Sequence, residues 1–255
     1  PEWEVPYGQH YSTVAALSTT RYKYETGCTD EQLAAVCVSN RKWAELNPNA
    51  FFRKPLTIDE VMASKMLSTP LRAKMSNMLF DGGSAFIVTS AERARDFPHH
   101  PVYILGAGEG HSHEHISQAH DLTTSAAKEA GERAYAMAGL GAQDMHFAQL
   151  YDCFTPTVLV ELEDLGFCAK GEGGPFLQTG ATRPGGRLPV NTHGGMLSHC
   201  HPGNPGAMFA LTESVWQLRR QAAERQVPDA EVALVHAQGG IMSSHTTIIL
   251  GRETG

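Results

Sequence analysis

The hydrophobic period of the sequence changes near residue 80, and this change limits the fold more than any other feature. Before it, apolar residues recur at helical spacing, whereas after it short apolar runs alternate with helical stretches. This alternation is typical of a layered α/β fold, because helices must cover the faces of a buried sheet. We expect the first two predicted strands to be adjacent and buried. The predicted strands are 82–90, 101–110, 145–154, 231–240 and 245–253, and the predicted helices are 121–140, 155–167 and 206–224.

The first 80 residues carry signals for helix starts. Thr29 is placed to cap a helix, and Gln32 stands at the third helical position, which completes a capping box. Leu33 then begins an apolar stripe, and a second helix start follows at Thr57. We therefore predict short helices and loops up to residue 80.

The composition excludes several classes of protein. The 27 acidic and 20 basic residues give a net charge of −7 without a long block of either sign, which argues against binding nucleic acid or an anionic membrane. No apolar run approaches the roughly 18 residues of a membrane span. The five cysteines include no Cys-x-x-Cys pair, so we expect a reducing, cytoplasmic environment. There is no signal peptide, and because the chain opens on Pro1 without a methionine, we expect its start to be cut.

Residues 191–209, NTHGGMLSHCHPGNPGAMF, place three histidines and a cysteine between glycines and prolines. A metal site would use His193, His199 and His201, but the irregular segment offers no helical register to aim the rings together. Cys200 could pair with a histidine, although neighbouring side chains point apart. In the third interpretation, the loop delivers His201 to the N-terminus of the next helix, where it acts as a base or supports an oxyanion. We favour this interpretation.

Two other motifs suggest ligands but fit a simpler role. HSHEHISQAH, residues 111–120, holds four histidines, which we expect to be solvated in an irregular loop. LGAGEG, residues 105–110, lacks the third glycine and the following helix of a dinucleotide-binding loop. We therefore predict no metal ion and no tightly bound cofactor.

Several segments carry a resemblance to a known family. NTHGGMLSHCHPGNPG resembles the Asn-x-x-Gly-Gly…His-Pro-x-Gly-x-x-Gly signature of thiolases. The segments YDCFTPTVLVELEDLGF, LPVNTHGGMLSHCHPG and AQGGIMSSHTTIILGR are similar to the sterol-carrier-protein or lipid-transfer-protein branch of that superfamily, to which acetyl-CoA acetyltransferase-like proteins belong. Residues 45–72 resemble the loop domain of the same branch. The resemblance covers nearly the whole chain.

The resemblance implies a thiolase-like α/β fold, layered as helix, sheet, helix, sheet and helix. Residues 1–80 match the helical loop domain that covers coenzyme A, residues 81–121 match linking strands and a loop, and residues 122–255 match the C-terminal half. Most of the N-terminal half is missing. In active thiolases the acyl-accepting cysteine lies in that half, so we expect the nucleophile to lie outside this chain.

The resemblance also implies roles for individual side chains. His201 matches the histidine that activates the nucleophile. Tyr151 and Asp152 occupy the place of a motif whose asparagine holds a catalytic water in classical thiolases. Tyr151 departs from that pattern, and its phenol can donate a hydrogen bond or move a proton, or it can simply end a strand.

A second departure falls near the C-terminus. Ala237 stands where classical thiolases carry a cysteine that deprotonates the incoming acyl-CoA. His236 or His245 could substitute as the base, although a structural role suits both equally. This departure puts a Claisen condensation in doubt and leaves a retro-aldol cleavage open. The candidate catalytic residues are His201, Tyr151, Asp152 and His245.

Further residues match the binding surface for coenzyme A and the acyl group. Asn191, Gly194, Gly195 and Gly203 lie in the motif that shapes the pocket wall. Met75 and Met78 have flexible thioethers that suit an apolar acyl or steroid-like cavity, although core packing is the commoner use of methionine. The phosphates of coenzyme A would need basic residues, for which the candidates are Arg53, Lys54 and Arg72.

The function implied by the resemblance is that of a thiolase-like transferase of lipid metabolism, an acyltransferase that makes or breaks a carbon–carbon bond in an acyl-CoA. The alternatives are a retro-aldolase on a β-hydroxyacyl-CoA using Tyr151, and a non-catalytic acyl-CoA-binding subunit. Coenzyme A is expected as substrate or product. The expected partners are a second copy of the chain and a small zinc-ribbon and OB-fold protein.

Overall fold

The computed structural model describes residues 4–203, 205–240 and 242–253; Pro1 lies outside this range. The α-helices of the described chain are α1 Tyr11–Thr26, α2 Asp30–Leu46, α3 Ile58–Met62, α4 Ala91–Ala94, α5 Ala127–Ala138, α6 Thr155–Asp164, α7 Gly173–Gln178, α8 Gly195–Ser198 and α9 Gly206–Leu218. The strands are β1 Met66–Ser68, β2 Leu71–Arg72, β3 Tyr103–His111, β4 Phe147–Gln149, β5 Val232–Gly239 and β6 Ser244–Gly251.

The central feature is a four-stranded mixed sheet with the strand order β3-β6-β5-β4. β6 is antiparallel to both β3 and β5, whereas β4 is parallel to β5. Leu234 of β5 packs in a core with α6, whereas Val235, the next residue, packs in a second core with α9. The sheet is therefore covered on both faces, as the predicted α/β class requires.

One predicted strand is wrong. Residues 82–90 form no strand and pair with no other strand of the described chain, and β3 has β6 as its hydrogen-bonded neighbour instead. Ile87 is 84% exposed and Val88 is 78% exposed. The segment has the composition of a buried strand, but a strand forms only where a neighbouring strand supplies hydrogen-bond partners.

The alternate glycines of β3 serve close packing against α5. A Cβ atom at Gly106 would lie 2.2 Å from the carbonyl oxygen of Ala134, and one at Gly108 would lie 2.2 Å from that of Ala130. Gly110 faces the start of the same helix in the same way. The helix backbone thus rests directly on the strand, which explains the GAGEG sequence without a nucleotide ligand.

The helical first part of the chain begins its helices as the sequence predicts. Both capping boxes form, at Thr29 with Gln32 before α2 and at Thr57 with Glu60 before α3. Leu33 of α2 lies in the same apolar core as residues of α6, so the first 80 residues share a core with the later part of the chain. In the part of the chain that the structure describes, no helix has both the length and the apolar character to cross a membrane.

We predict that Gly108→Ala destabilises the protein by about 1–3 kcal/mol, because the added methyl group meets a backbone oxygen that cannot move independently of α5. Ala107→Ser, on the exposed opposite face of the same strand, is the matched control and should change stability by less than about 0.5 kcal/mol. Urea unfolding followed by circular dichroism measures both. Equal effects of the two substitutions would contradict this account of the glycines.

Candidate active site

Asn191 joins the glycine-rich loop to the end of β4. Its side-chain Oδ1 accepts a hydrogen bond from the backbone N–H of Leu150 at 2.8 Å, and its own N–H donates to the carbonyl of Ala148 at 3.0 Å. The residue is fully buried and has a φ of 55°, which asparagine tolerates better than most residues. Asn191 therefore fixes where the loop leaves the sheet.

Asp152 holds the next part of this loop. Its carboxylate accepts hydrogen bonds from the backbone N–H groups of Met196 at 2.8 Å and Leu197 at 3.0 Å, and from Nδ2 of Asn40 at 2.6 Å. Burial raises the pKa of Asp152 to about 6, while these amide donors act in the opposite direction. Because its oxygens are engaged by these donors, Asp152 is placed to position the loop rather than to meet a substrate.

Gly194 and Gly195 allow the loop to approach both partners closely. A Cβ atom at Gly195 would lie 2.1 Å from Oδ2 of Asp152, and one at Gly194 would lie 2.7 Å from Cβ of Ala44 in α2. Both glycines have positive φ values, 105° at Gly194 and 65° at Gly195. The glycine pair predicted to shape the pocket wall thus packs the loop between α2 and Asp152.

His201 follows this loop and lies against the start of α9. A Cβ atom at Gly206, the first residue of that helix, would lie 2.5 Å from Nδ1 of His201. The imidazole is only 6% exposed, and its Nδ1 has no hydrogen-bond partner in the structure. Burial lowers the pKa of His201 below its ordinary value, so the ring is neutral near pH 7. Because Nδ1 is buried against Gly206, it is not the nitrogen that a substrate would reach.

Tyr151 lies beside His201. The two ring centroids are 5.8 Å apart and the rings are nearly perpendicular, at 86°. Burial, more than the nearby Cys153 and Tyr11, raises the pKa of the Tyr151 phenol, so its hydroxyl keeps its proton. The backbone N–H of Tyr151 donates to Oε2 of Glu161 at 2.9 Å, which fixes the turn after β4.

The pair combines a neutral proton acceptor with a neutral proton donor. A neutral imidazole can remove a proton from a bound hydroxyl, and a phenol that retains its proton can deliver one or donate a hydrogen bond to a developing oxyanion. Such an arrangement suits proton transfer near a carbonyl group. The structure therefore brings together two of the four predicted catalytic side chains, His201 and Tyr151, with Asp152 behind the loop.

His245 lies in a different cluster. Its Nδ1 is 2.9 Å from Nε2 of His236, and His236 Nε2 is 3.9 Å from Oε1 of Glu161. Side chains alternate along β5, so His236 faces α6, whereas Ala237 shares the α9 face with Val235. His245 is therefore not brought together with the His201–Tyr151 pair, and neither histidine takes the place of a base at Ala237.

The remaining histidines of the loop pair with each other. His193 Nδ1 lies 2.9 Å from His199 Nδ1, and His199 packs edge-on against Phe209 of α9. Among the described residues, these rings, Cys200 and His201 do not converge as ligands of one ion.

The cysteines lack the environment of a nucleophile. All five are free, and burial raises the pKa of each thiol, to about 12 for Cys28, Cys37 and Cys168. The Cys153 thiol, next to Asp152, is shifted further in the same direction. A raised pKa leaves almost no thiolate at neutral pH, so none of these groups is activated.

The predicted acyl-binding and phosphate-binding residues are spread over several environments. Met75 is fully buried in the core and serves packing, whereas Met78 is 54% exposed. Gly203 has a φ of 70° and open space around it. Arg53 and Lys54 are exposed. The two residues before them, Phe51 and Phe52, donate backbone hydrogen bonds to the carbonyls of His199 and Ser198 in the loop. Arg72 is partly buried and donates to the carbonyl of Ser64.

Three residues near the pair escaped the sequence analysis. Asn40 binds Asp152, Glu161 binds the backbone of Tyr151, and Tyr11 is close enough to influence the phenol of Tyr151 electrostatically. Glu161 lies between Val160 and Leu162 in the apolar start of α6, which is a usable signal for a buried partner. Asn40 follows Ser39 and precedes two basic residues, and Tyr11 begins α1, so neither gave such a signal.

The comparisons with known proteins agree with this architecture. The sequence profile of the thiolase C-terminal domain-like family matches residues 108–252. The acetyl-CoA acetyltransferase of Methanothermobacter thermautotrophicus is 36% identical over 252 residues, covering 98% of this chain and 66% of that protein. The steroid side-chain-cleaving aldolase of Thermomonospora curvata is 37% identical over 262 residues, covering 98% of this chain and 64% of that protein.

A solved structure described as an Ltp2-ChsH2(DUF35) aldolase superposes with a TM-score of 0.91 at 36% identity, covering 98% of this chain and 66% of that one. The sheet with α9 on one face and a His-Pro-Gly loop leading into that helix thus defines a thiolase-type fold. This chain belongs to the thiolase C-terminal domain-like family, which confirms the predicted family and fold class. It spans slightly less than two thirds of the length of these relatives.

We predict that Gly195→Ala destabilises the protein by about 1–3 kcal/mol more than Gly203→Ala does. Both glycines have positive φ values, so both substitutions carry similar backbone strain, but only the methyl group at residue 195 meets the Asp152 carboxylate. Urea unfolding of the two variants isolates the contribution of that contact. Equal losses of stability would show that the loop does not depend on this approach.

We also predict that His201 titrates below 6.5 in the folded protein, because burial disfavours the imidazolium ion. The folded state then binds fewer protons than the unfolded state, so His201 lowers stability as the pH falls below about 6.5. Two-dimensional NMR of the imidazole protons, assigned with His201→Asn, gives the folded pKa, and the urea-unfolded chain supplies the reference. A folded value equal to or above the unfolded one would contradict the burial argument.

Proposed function

We propose that this chain is the loop domain and C-terminal half of an enzyme that cleaves or forms a carbon–carbon bond in an acyl-CoA, with a retro-aldol cleavage of a β-hydroxyacyl-CoA as its reaction. The observation that carries the proposal is the contact between His201, which is buried, and Tyr151, which is partly buried, with the ring centroids 5.8 Å apart. Residues 1–80 would cover coenzyme A, residues 81–121 would link, and residues 122–255 would carry this pair.

The pair accounts for every proton in such a cleavage. The neutral imidazole of His201 takes the proton of the β-hydroxyl group through Nε2, because Nδ1 is buried against Gly206. The Cα–Cβ bond then breaks to give a carbonyl compound and the enolate of the shortened acyl-CoA. Tyr151 then protonates the enolate at Cα. The imidazolium ion of His201 returns the proton to the neighbouring phenolate, which restores both neutral side chains.

Two features favour this reaction over thiolytic cleavage by the chain's own groups. The thiols have raised pKa values, so none is prepared to accept an acyl group. Ala237 occupies the α9 face of β5 where classical thiolases need a basic cysteine, and His236 and His245 lie on the other face. A retro-aldol cleavage needs neither group.

Thiolase chemistry is the second candidate, in which a cysteine from polypeptide outside these 255 residues accepts the acyl group. The observation that favours it is the 36% identity with an acetyl-CoA acetyltransferase. In that reaction His201 would take the proton of the thiol instead of a hydroxyl proton. The two candidates therefore differ in their sensitivity to thiol alkylation.

The proposed binding path for coenzyme A runs along the segment that contains Arg53 and Lys54. This segment is hydrogen-bonded to the loop leading to His201, through Phe51 to His199 and Phe52 to Ser198, so its exposed cations lie near the entrance to the pair. Arg72 is a further candidate for a phosphate. A DUF35 component accompanies the aldolase in the solved relative, and we propose a partner of that type here, together with a homodimer in a soluble, cytoplasmic enzyme.

We predict that Tyr151→Phe and His201→Asn each lower kcat for β-hydroxyacyl-CoA cleavage by about 100-fold or more in the intact protein, because each removes one proton-transfer group. Tyr135→Phe, which removes a hydroxyl bonded to the carbonyl of Leu165 far along α5, is the matched control and should retain activity. Coupled detection of the carbonyl product measures the rate.

Treatment with iodoacetamide separates the candidates. Activity that survives alkylation supports the retro-aldol reaction, whereas loss of activity with formation of an acyl-enzyme supports the thiolase reaction. Saturable binding of coenzyme A without turnover of either kind of substrate would identify a non-catalytic subunit. Full activity of Tyr151→Phe would remove the proposed role of the pair.

A further inference from the structure

A second cluster of chemically active side chains lies where α6 packs against strands β5 and β6. Glu161 of α6, His236 of β5 and His245 of β6 meet there, and each is only 1% exposed. The ligand atoms they offer, a carboxylate oxygen and two ring nitrogens, all lie within 4.8 Å of one another. From this geometry we infer that the three residues bind a divalent transition-metal ion, with Zn²⁺ as the best fit.

The spacing of the donor atoms suits such an ion. His236 Nε2 lies 2.9 Å from His245 Nδ1 and 3.9 Å from Glu161 Oε1. Zinc bonds of about 2.0–2.2 Å in a tetrahedral site place neighbouring ligand atoms roughly 3.2–3.6 Å apart. Small movements of the side chains, which spread the two nitrogens and draw in the carboxylate, bring all three within bonding distance. A fourth position remains for an exchangeable ligand.

Within the described part of the chain, the carboxylate of this cluster is buried without a neutralising positive charge or a full set of hydrogen bonds. Oε1 of Glu161 accepts no hydrogen bond in the structure although it is buried. A buried carboxylate beside two neutral imidazoles is costly unless a positive charge or a proton neutralises it. A metal ion would neutralise the carboxylate and use the lone pairs of both rings.

The surrounding residues resemble the outer shell of a metal site. Nδ1 of His236 lies 2.8 Å from Oγ1 of Thr247, so the ring can donate its proton there and leave Nε2 free as a ligand. Metal-binding histidines commonly donate their other N–H to an oxygen in this way. Oε2 of Glu161 accepts from the backbone N–H of Tyr151, which orients the carboxylate.

The donor set determines the kind of ion. Two imidazoles and one carboxylate favour Zn²⁺ and related first-row ions over Ca²⁺ or Mg²⁺, which prefer oxygen ligands. The ion would join α6, β5 and β6 and would hold the turn that carries Tyr151. Its role would be structural, because all three ligands are only 1% exposed and a substrate could not reach the ion.

The test is the metal content of the intact protein produced with zinc in the medium. We expect about one zinc ion per chain after removal of loosely bound metal, measured by plasma mass spectrometry, and visible absorption bands of a nitrogen- and oxygen-ligated ion after replacement with Co²⁺. Chelation should lower the melting temperature of the wild type. Glu161→Gln keeps an acceptor for Tyr151 but should hold no zinc and show no change in melting temperature on chelation.

Thr247→Val tests the outer shell with little change in shape. We expect it to weaken zinc binding by about 10–100-fold, whereas Thr246→Val, the adjacent residue on the opposite face of β6, should leave it unchanged. His111→Gln and His120→Gln test the exposed histidine loop and should also leave it unchanged. Three results would overturn the proposal: a wild type without zinc, retention of zinc by Glu161→Gln, or loss of zinc in the loop variants. The cluster would then be a buried polar group whose members share protons.

Discussion

The Asp152 carboxylate is the contact on which the rest of the site depends. It binds two backbone N–H groups of the loop at Met196 and Leu197, and the side chain of Asn40 in α2. One buried group therefore ties the helical first part of the chain, the turn after β4 and the glycine loop into one unit. Hydrogen bonds to an ionised acceptor are stronger than those between neutral groups, which suits this task in a buried position.

Side chains alternate along β5, so neighbouring residues of this strand pack against different helices. Ala237 and Val235 face α9, whereas His236 faces α6 with Glu161 and His245. Tyr151 connects the His201–Tyr151 pair with the Glu161 cluster, because its ring lies beside His201 while its backbone N–H binds Glu161. A change in the Glu161 cluster would therefore reach the proton-transfer pair through the backbone of one residue.

Burial away from water sets the protonation states of His201 and Tyr151. Burial lowers the pKa of His201 and raises that of Tyr151, so both side chains are neutral over the same pH range. The same effect raises the pKa values of the buried thiols and keeps them inactive. Burial thus leaves a neutral acid beside a neutral base, and the proposed retro-aldol reaction depends on this combination.

The sequence alone determined the features that depend on local pattern. The capping boxes at Thr29 and Thr57, the alternation of strands and helices, and the delivery of His201 to the start of α9 all follow from neighbouring residues, and the motif around His201 also identified the family. Only the tertiary structure decided which distant residues meet. Asn40 and Asp152 are brought together by packing, His245 is placed with Glu161 by strand register, and residues 82–90 stay unpaired because pairing needs a neighbouring strand. Long-range contacts depend on how elements pack in space, which local spacing does not encode.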